Sequence, residues 1–433
     1  MNLNGKRLLM MGGGAYFNHI RQYARQSGFE IIAVGNNEEA EYYRFADEAY
    51  KVSTLDVDGI IKVVKEHNID GLFAGSNETN ILAAISVSEK SGIPYYAQRR
   101  QWEIISNKAA FKRTARECGV PVIPEYSMAG DIRDIDIDTI RFPVMIKPTD
   151  ASCGRGLNVC DNAQTFESYF NEALRWSKKK EVIVEELVTD ADEIFFHYVV
   201  QDGTVSLSSA YTKVYTTLRD KYYSLPLFHI YPSKYIDEYY DVLHDPLVSM
   251  IRSIGIENGC LTIQAFYKNG RFYVIEAAYR LGGAQNYVFT DYYNKVNVLN
   301  YMVNLALTGQ MDDREICIKE DARFKSPCCN YYVGLNAGTI AKIKGVDDVR
   351  NMQGVLNVTQ LAYTGDVIED TNSIDRICLR IHVVGQSIEN LADNLVKICE
   401  KLEITSTLGE DMIMEHLSFD DCVKAIDSSI KTI

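Results

Sequence analysis

Short apolar runs alternate with amphipathic stretches through the first hundred residues. Arg7 to Met11, Glu30 to Val34 and Gly71 to Ala74 read as strands, and Tyr16 to Ser27, Val57 to His67 and Asn80 to Ser91 as helices. That rhythm predicts a parallel sheet flanked by helices. A helix from Ser106 to Cys118 follows, and Gly119 with Val120-Pro121-Val122-Ile123-Pro124 ends it. Strands are expected at Phe142 to Pro148, Leu157 to Val159 and Val182 to Val188; the last ends in acids and the apolar pattern restarts at Glu193, as at a hinge between lobes. The aromatic-rich segment Tyr211 to Ser233 has no clean period and predicts a loop over a cleft. Beyond Pro327, strands are expected at Cys329 to Leu335, Gly338 to Lys344, Val355 to Tyr363 and Arg376 to Val384. A helix then runs from Ser387 to Leu402, its stripe Ile388, Leu391, Leu395, Ile398 and Leu402 facing a sheet.

Chemistry concentrates where this pattern is interrupted. After the β-rich run Phe272 to Ile275 come Glu276, Arg280, Gly282 and Gly283. A carboxylate offers hard oxygens to a divalent cation, a guanidinium offers a planar fork to phosphoryl oxygens, and paired glycines let backbone amides approach a ligand. The plain alternative is an edge strand ending in a glycine turn. Lys147 sits inside the apolar run Val144-Met145-Ile146-Lys147, where an ammonium is costly unless an anion meets it. The small residues Ser152 to Gly156 after it suit a flap whose main-chain N–H groups fold over phosphates.

In this order of parts the chain resembles the ATP-grasp superfamily, and within it carboxylate–amine ligases of the bacilysin-type L-amino-acid ligase kind. The resemblance implies an α/β and α+β architecture: an N-terminal Rossmann-like domain over residues 1–105, an ATP-grasp domain over 106–326 with a hinge near 185–188, and a C-terminal α+β domain over 327–433. It implies that Lys108 and Lys147 meet the nucleotide and that Ser152, Gly154 and Gly156 belong to the phosphate-covering loop. Glu185 and Val188 then match the adenine hinge, and Glu193 the acid on the ribose. Glu276 matches the metal-bridging glutamate, with Gln264 as its partner ligand, and Arg280 the arginine facing the transferred phosphoryl group. The implied activity is amide or peptide bond formation through an acyl phosphate, with ATP and Mg²⁺, or Mn²⁺ in its place. Arg280 and Lys147 would be catalytic. Other ATP-grasp chemistry, such as carboxylation through carboxyphosphate, and a nucleotide-binding regulator without turnover are the alternatives. Two departures stand out: Gln264 where the family has Glu, and Ala278 where it often has Asn.

Composition narrows the partners. The chain has 433 residues, is 46% hydrophobic and carries a formal charge of −14, so a nucleic acid or an anionic membrane is not its expected partner. Small carboxylate and amine substrates are, with a homodimer as a possible assembly. No apolar stretch reaches a membrane-spanning length and the N-terminus lacks a signal-peptide pattern, so the expected location is the cytoplasm. The ten cysteines lack zinc-type spacing and read as buried thiols. Cys153, in the flap, is a packing residue or a nucleophile, and the sequence places no activating base beside it. Gly12-Gly13-Gly14 lacks the third glycine and the ribose acid of a dinucleotide site. Glu78 either faces substrate or begins a capped helix. Gly282 and Gly283 are substrate candidates, and His229 is a packing histidine or a base.

Overall fold

The computed structural model describes residues 1–151, 155–216, 225–312, 314–317, 320–371 and 374–430. Its N-terminal unit is a parallel four-stranded sheet ordered β3-β2-β1-β4, with β1 Arg7–Met10, β2 Glu30–Val34, β3 Glu48–Tyr50 and β4 Gly71–Phe73. Helices Gly14–Ser27, Val57–Glu66 and Glu78–Ser91 connect and cover these strands. Both faces are buried, which is why the strands read as continuous apolar runs.

A second, antiparallel sheet ordered β5-β8-β6-β7 consists of β5 Glu125–Ala129, β6 Val144–Pro148, β7 Asn158–Cys160 and β8 Val182–Glu186. Val144, Ile146, Val182 and Val184 point to one face and pack on Phe166 and Phe170 of helix Ala163–Trp176. Period-two alternation therefore sends Lys147 and Glu185 to the opposite face, toward the cleft.

The third sheet is the largest. In spatial order its eight strands are β13 Arg271–Ala278, β12 Gly259–Lys268, β9 Asp192–Gln201, β10 Thr204–Tyr215, β11 Pro226–Tyr231, β14 Cys328–Gly334, β18 Ile377–Val384 and β16 Val355–Gln360. The segment 327–433 thus contributes three strands to a sheet begun by residues 192–278. It also builds a small sheet from β15 Gly338–Lys344, β17 Val367–Ile368 and β19 Glu403–Ser406. The stripe on helix Ile388–Lys401 is core: Leu391, Leu395 and Ile398 are fully buried.

In place of the loop expected over Tyr211 to Ser233, the described residues on either side of 217–224 are strands in the middle of the large sheet. Tyr211 lies within β10, whose residues Thr212 to Tyr215 pair with β11, and every residue of β11 is buried. A strand covered on both faces loses the polar/apolar alternation by which strands are read. Among the described residues no helix is long and apolar enough to cross a membrane, and their cysteines are free thiols, mostly buried. Cys153 lies outside the described residues.

Candidate active site

The second and third sheets and the N-terminal unit meet at one cleft. Lys147 extends from β6 and pairs with Glu185 Oε1 of β8, while the other carboxylate oxygen, Oε2, accepts from Lys112 Nζ at 2.6 Å. Burial would raise the Glu185 carboxyl, but Lys147 and Lys112 outweigh it and hold it below the usual carboxylate range. The Glu185 side chain is thus committed to these two lysines. Lys108 opens helix Lys108–Glu117 behind the Asn107 cap, and its Nζ donates to the Ala151 carbonyl at 2.8 Å. Burial depresses the Lys108 ammonium, with Glu276 acting against that shift and Lys147 adding to it, so the three groups share one neighbourhood. Glu78, first residue of its helix after the Asn77 cap, also acts on Lys108.

A one-residue register change presents Glu276 to the cleft. Ala265 pairs with Val274 and both point to the core, yet Gln264 pairs with Glu276, leaving Ile275 as the extra residue of a β-bulge. Without it, alternation would send Glu276 the same way as Val274. Gln264 stands beside Glu276 and donates its amide to Glu193 Oε1 at 2.6 Å. An ionised carboxylate only accepts, so the amide must turn its NH₂ to Glu193 and keep its carbonyl oxygen for other partners. Lys213 Nζ lies 3.4 Å from the same Glu193 oxygen. Lys213 was missed because its segment read as a loop.

Arg280 follows the strand. Its Nη1 donates to the Leu281 carbonyl at 3.1 Å, and its buried Nε has no partner among the described residues. The turn after it is held tightly. Tyr16 donates to Gly282 O at 3.2 Å, Asn330 Nδ2 to Ala284 O at 2.8 Å, and Thr359 Oγ1 to Gln285 Oε1 at 2.9 Å. A Cβ at Gly282 would lie 2.8 Å from His197 Cε1, so only glycine fits there. Glu276, Gln264, Arg280, Gly282, Gly283 and Tyr211 line a cavity of about 140 Å³.

A second arginine, unexpected from the sequence reading, comes from β18. Arg380 is 8% exposed, and among the described residues its Nε and Nη1 have no hydrogen-bond partner. Burial dominates and raises the Tyr16 hydroxyl, while Ser76, then Arg280 and Arg380, act to lower it, so both guanidinium groups lie within electrostatic reach of Tyr16. The signal was the one that exposed Lys147: a cation inside an apolar run, Ile377-Cys378-Leu379-Arg380-Ile381. His229 stacks on Tyr211 at 4.1 Å between centroids, and its Nδ1 meets the Tyr332 hydroxyl at 3.0 Å. Burial holds the His229 imidazole far below its ordinary range, and pushes that of His197 to about 3, so both are neutral. His229 is a packing residue here.

Val188 lies between β8 and β9, at the junction of the two sheets. Ser152 and Gly154 lie outside the described residues. Gly156 has a φ of +70°, and a Cβ there would come 2.7 Å from Trp176 Cδ1. Gly156→Ala is therefore expected to cost about 1–2 kcal/mol from the left-handed backbone and to displace the half-exposed Trp176. In a Trp102→Phe background, where Trp176 is the only tryptophan, the variant excited at the tryptophan band should show a shifted emission maximum and a lower Tm. An unchanged spectrum would remove the Gly156–Trp176 contact from the account.

Residues 107–311 match the family described as carbamoyl-phosphate synthase L chain, ATP binding domain. A formate-dependent phosphoribosylglycinamide formyltransferase of Sulfurisphaera tokodaii is 26% identical over 52% of this chain and 58% of its own. The carbamoyl phosphate synthase large chain of Pseudothermotoga lettingae is 25% identical over 61% of this chain and 24% of its own. The chain thus spans only part of the length of the curated relatives it matches. Among solved structures, the biotin carboxylase domain dimer of Hydrogenobacter thermophilus 2-oxoglutarate carboxylase, in complex with MgADP, ADP and bicarbonate, superposes with a TM-score of 0.77. It is 19% identical, over 99% of this chain and 96% of that one. The L-amino acid ligase of Bacillus licheniformis gives 0.75 at 17% identity, over 93% and 99%. These likenesses establish the expected fold.

Proposed function

We propose, from the premise that residues 107–311 of this chain are an ATP-grasp domain, that the protein is an ATP-dependent ligase joining a carboxylic acid to an amine with release of ADP and phosphate. The observation that carries the reading is a cleft whose cations are left with open donors. Among the described residues Lys147 has one acceptor, Arg280 Nε has none, and Arg380 has no counter-ion. Buried unpaired cations are costly unless a bound anion completes them.

The residues fit a magnesium nucleotide. Lys108 and Lys147 would take its phosphates and Val188 with the Glu185 backbone its base. Glu276 and the Gln264 carbonyl would hold the divalent ion, whose chemistry is to neutralise phosphoryl charge. Among the described residues no group of three or more His, Cys, Asp or Glu side chains forms a metal cage, and phosphate and water would supply the further oxygens that a hard cation takes. Arg280 and Arg380 would hold the acid's carboxylate between them. The γ-phosphoryl group passes to a carboxylate oxygen, giving ADP and an acyl phosphate. The amine then attacks the acyl carbon, phosphate leaves, and the amine loses its proton to solvent or phosphate. Lys147 and Arg280 stabilise charge that grows on the transferred oxygens, and the Gly282–Gly283 amides face the oxyanion.

ADP release measured across a panel of acid–amine pairs, with mass spectrometry of the product, tests this. The expected outcome is release that needs both partners and a product equal to acid plus amine minus water. Release driven by bicarbonate without an amine would assign carboxyphosphate chemistry instead. Nucleotide binding without release for any pair would leave a regulator.

A further inference from the structure

We propose that Lys112, outside the cleft's lining, is a positioning residue: it neutralises Glu185 from behind so that Lys147 is free to leave that carboxylate for the phosphates of a bound nucleotide. The inference rests on the reading above that Lys147 is a nucleotide ligand. Its basis is the unequal satisfaction of two lysines that share one acid.

An ammonium has three N–H donors. Those of Lys112 are all used: Glu185 Oε2 at 2.6 Å, the Ile123 carbonyl at 2.7 Å and Glu125 Oε2 at 3.3 Å. Lys112 is 1% exposed, and Glu125 is itself anchored by Arg116. Lys147, on the cleft side, has only Glu185 Oε1 among the described residues, so two of its donors remain open. Glu185, also 1% exposed, therefore stands between a fixed cation and a movable one.

If Lys147 alone neutralised Glu185, moving it to phosphate would strand a buried carboxylate, and the ion pair would compete with ATP. With Lys112 in place, Glu185 keeps a counter-ion whichever way Lys147 turns. Lys112 thus acts on nucleotide affinity through Glu185 without touching the nucleotide. A polar side chain at position 112 that merely filled space would not do this, because the effect depends on charge.

Mg-ATP affinity measured by titration calorimetry, with a thermal melt for each protein, tests the exchange. Lys112→Met should weaken ATP binding by roughly 5- to 150-fold, the usual range for coupling between sites. Lys112→Arg should retain most of the affinity. The decisive protein is Lys112→Met with Glu185→Gln: with no carboxylate left to hold Lys147, affinity should recover toward wild type. Where Lys112→Met does not fold, Lys112→Gln serves in both single and double form. A folded single variant with wild-type affinity, or a double variant that binds no better than the single, overturns the proposal. Lys147→Ala separates the two layers. If that change leaves ATP affinity untouched, the nucleotide reading fails and this inference with it. If it weakens binding while the folded Lys112 variants do not, only the role of Lys112 fails.

Discussion

Lys147→Ala is expected to lower turnover by about two to three orders of magnitude with the fold intact, because it removes a donor aimed at charge that develops in the transition state. The folded state survives because Glu185 retains Lys112 as its counter-ion. Glu185→Ala should behave differently: it leaves two buried lysines facing each other and should lower Tm as well as activity. Arg280→Ala should match Lys147→Ala in rate, since it too removes a donor aimed at the transferred group, and it gives up one structural hydrogen bond, to the Leu281 carbonyl. The check is steady-state ADP release beside circular dichroism for each variant. Wild-type-like turnover in a folded Lys147→Ala protein would remove the central assignment.

Much of this site was legible in the chain because it is built from local violations of pattern. Lys147 interrupts an apolar strand, and Glu276 to Gly283 ends one, so both stood out before any fold was known. What lay hidden depended on register or on distant segments. The bulge at Ile275 decides which face Glu276 takes, and no residue in Arg271-Phe272-Tyr273-Val274-Ile275-Glu276 announces it. Lys213 and the wall formed by Tyr211 were misread as loop because β10 and β11 are buried on both faces and lose their alternation. Arg380 carried the same signal as Lys147 but sat about a hundred residues beyond the other motifs, on a strand joining the sheet only through β14 and β16. Lys112 had no signal: on a helix reading Lys-Ala-Ala-Phe-Lys-Arg it is one cation among several.

The departure at Gln264 gives the sharpest test of the metal-facing strand. Two effects compete in Gln264→Glu. A second carboxylate beside Glu276 should raise affinity for a hard divalent cation, which prefers charged oxygens. The same change deletes the 2.6 Å hydrogen bond to Glu193 and sets like charges against each other, with Lys213 beside Glu193 offsetting them in part. Without metal the variant should therefore melt below wild type, and added Mg²⁺ should recover more of that loss than it adds to the wild-type Tm. Half-maximal activity should move to lower free Mg²⁺ at fixed ATP. Glu276→Gln removes the one carboxylate that the bulge presents to the cleft beside Gln264, so turnover should nearly vanish at any Mg²⁺ concentration. If Gln264→Glu melts lower but shows no change in its Mg²⁺ dependence, then residue 264 serves only to orient Glu193, and Glu276 holds the ion without it.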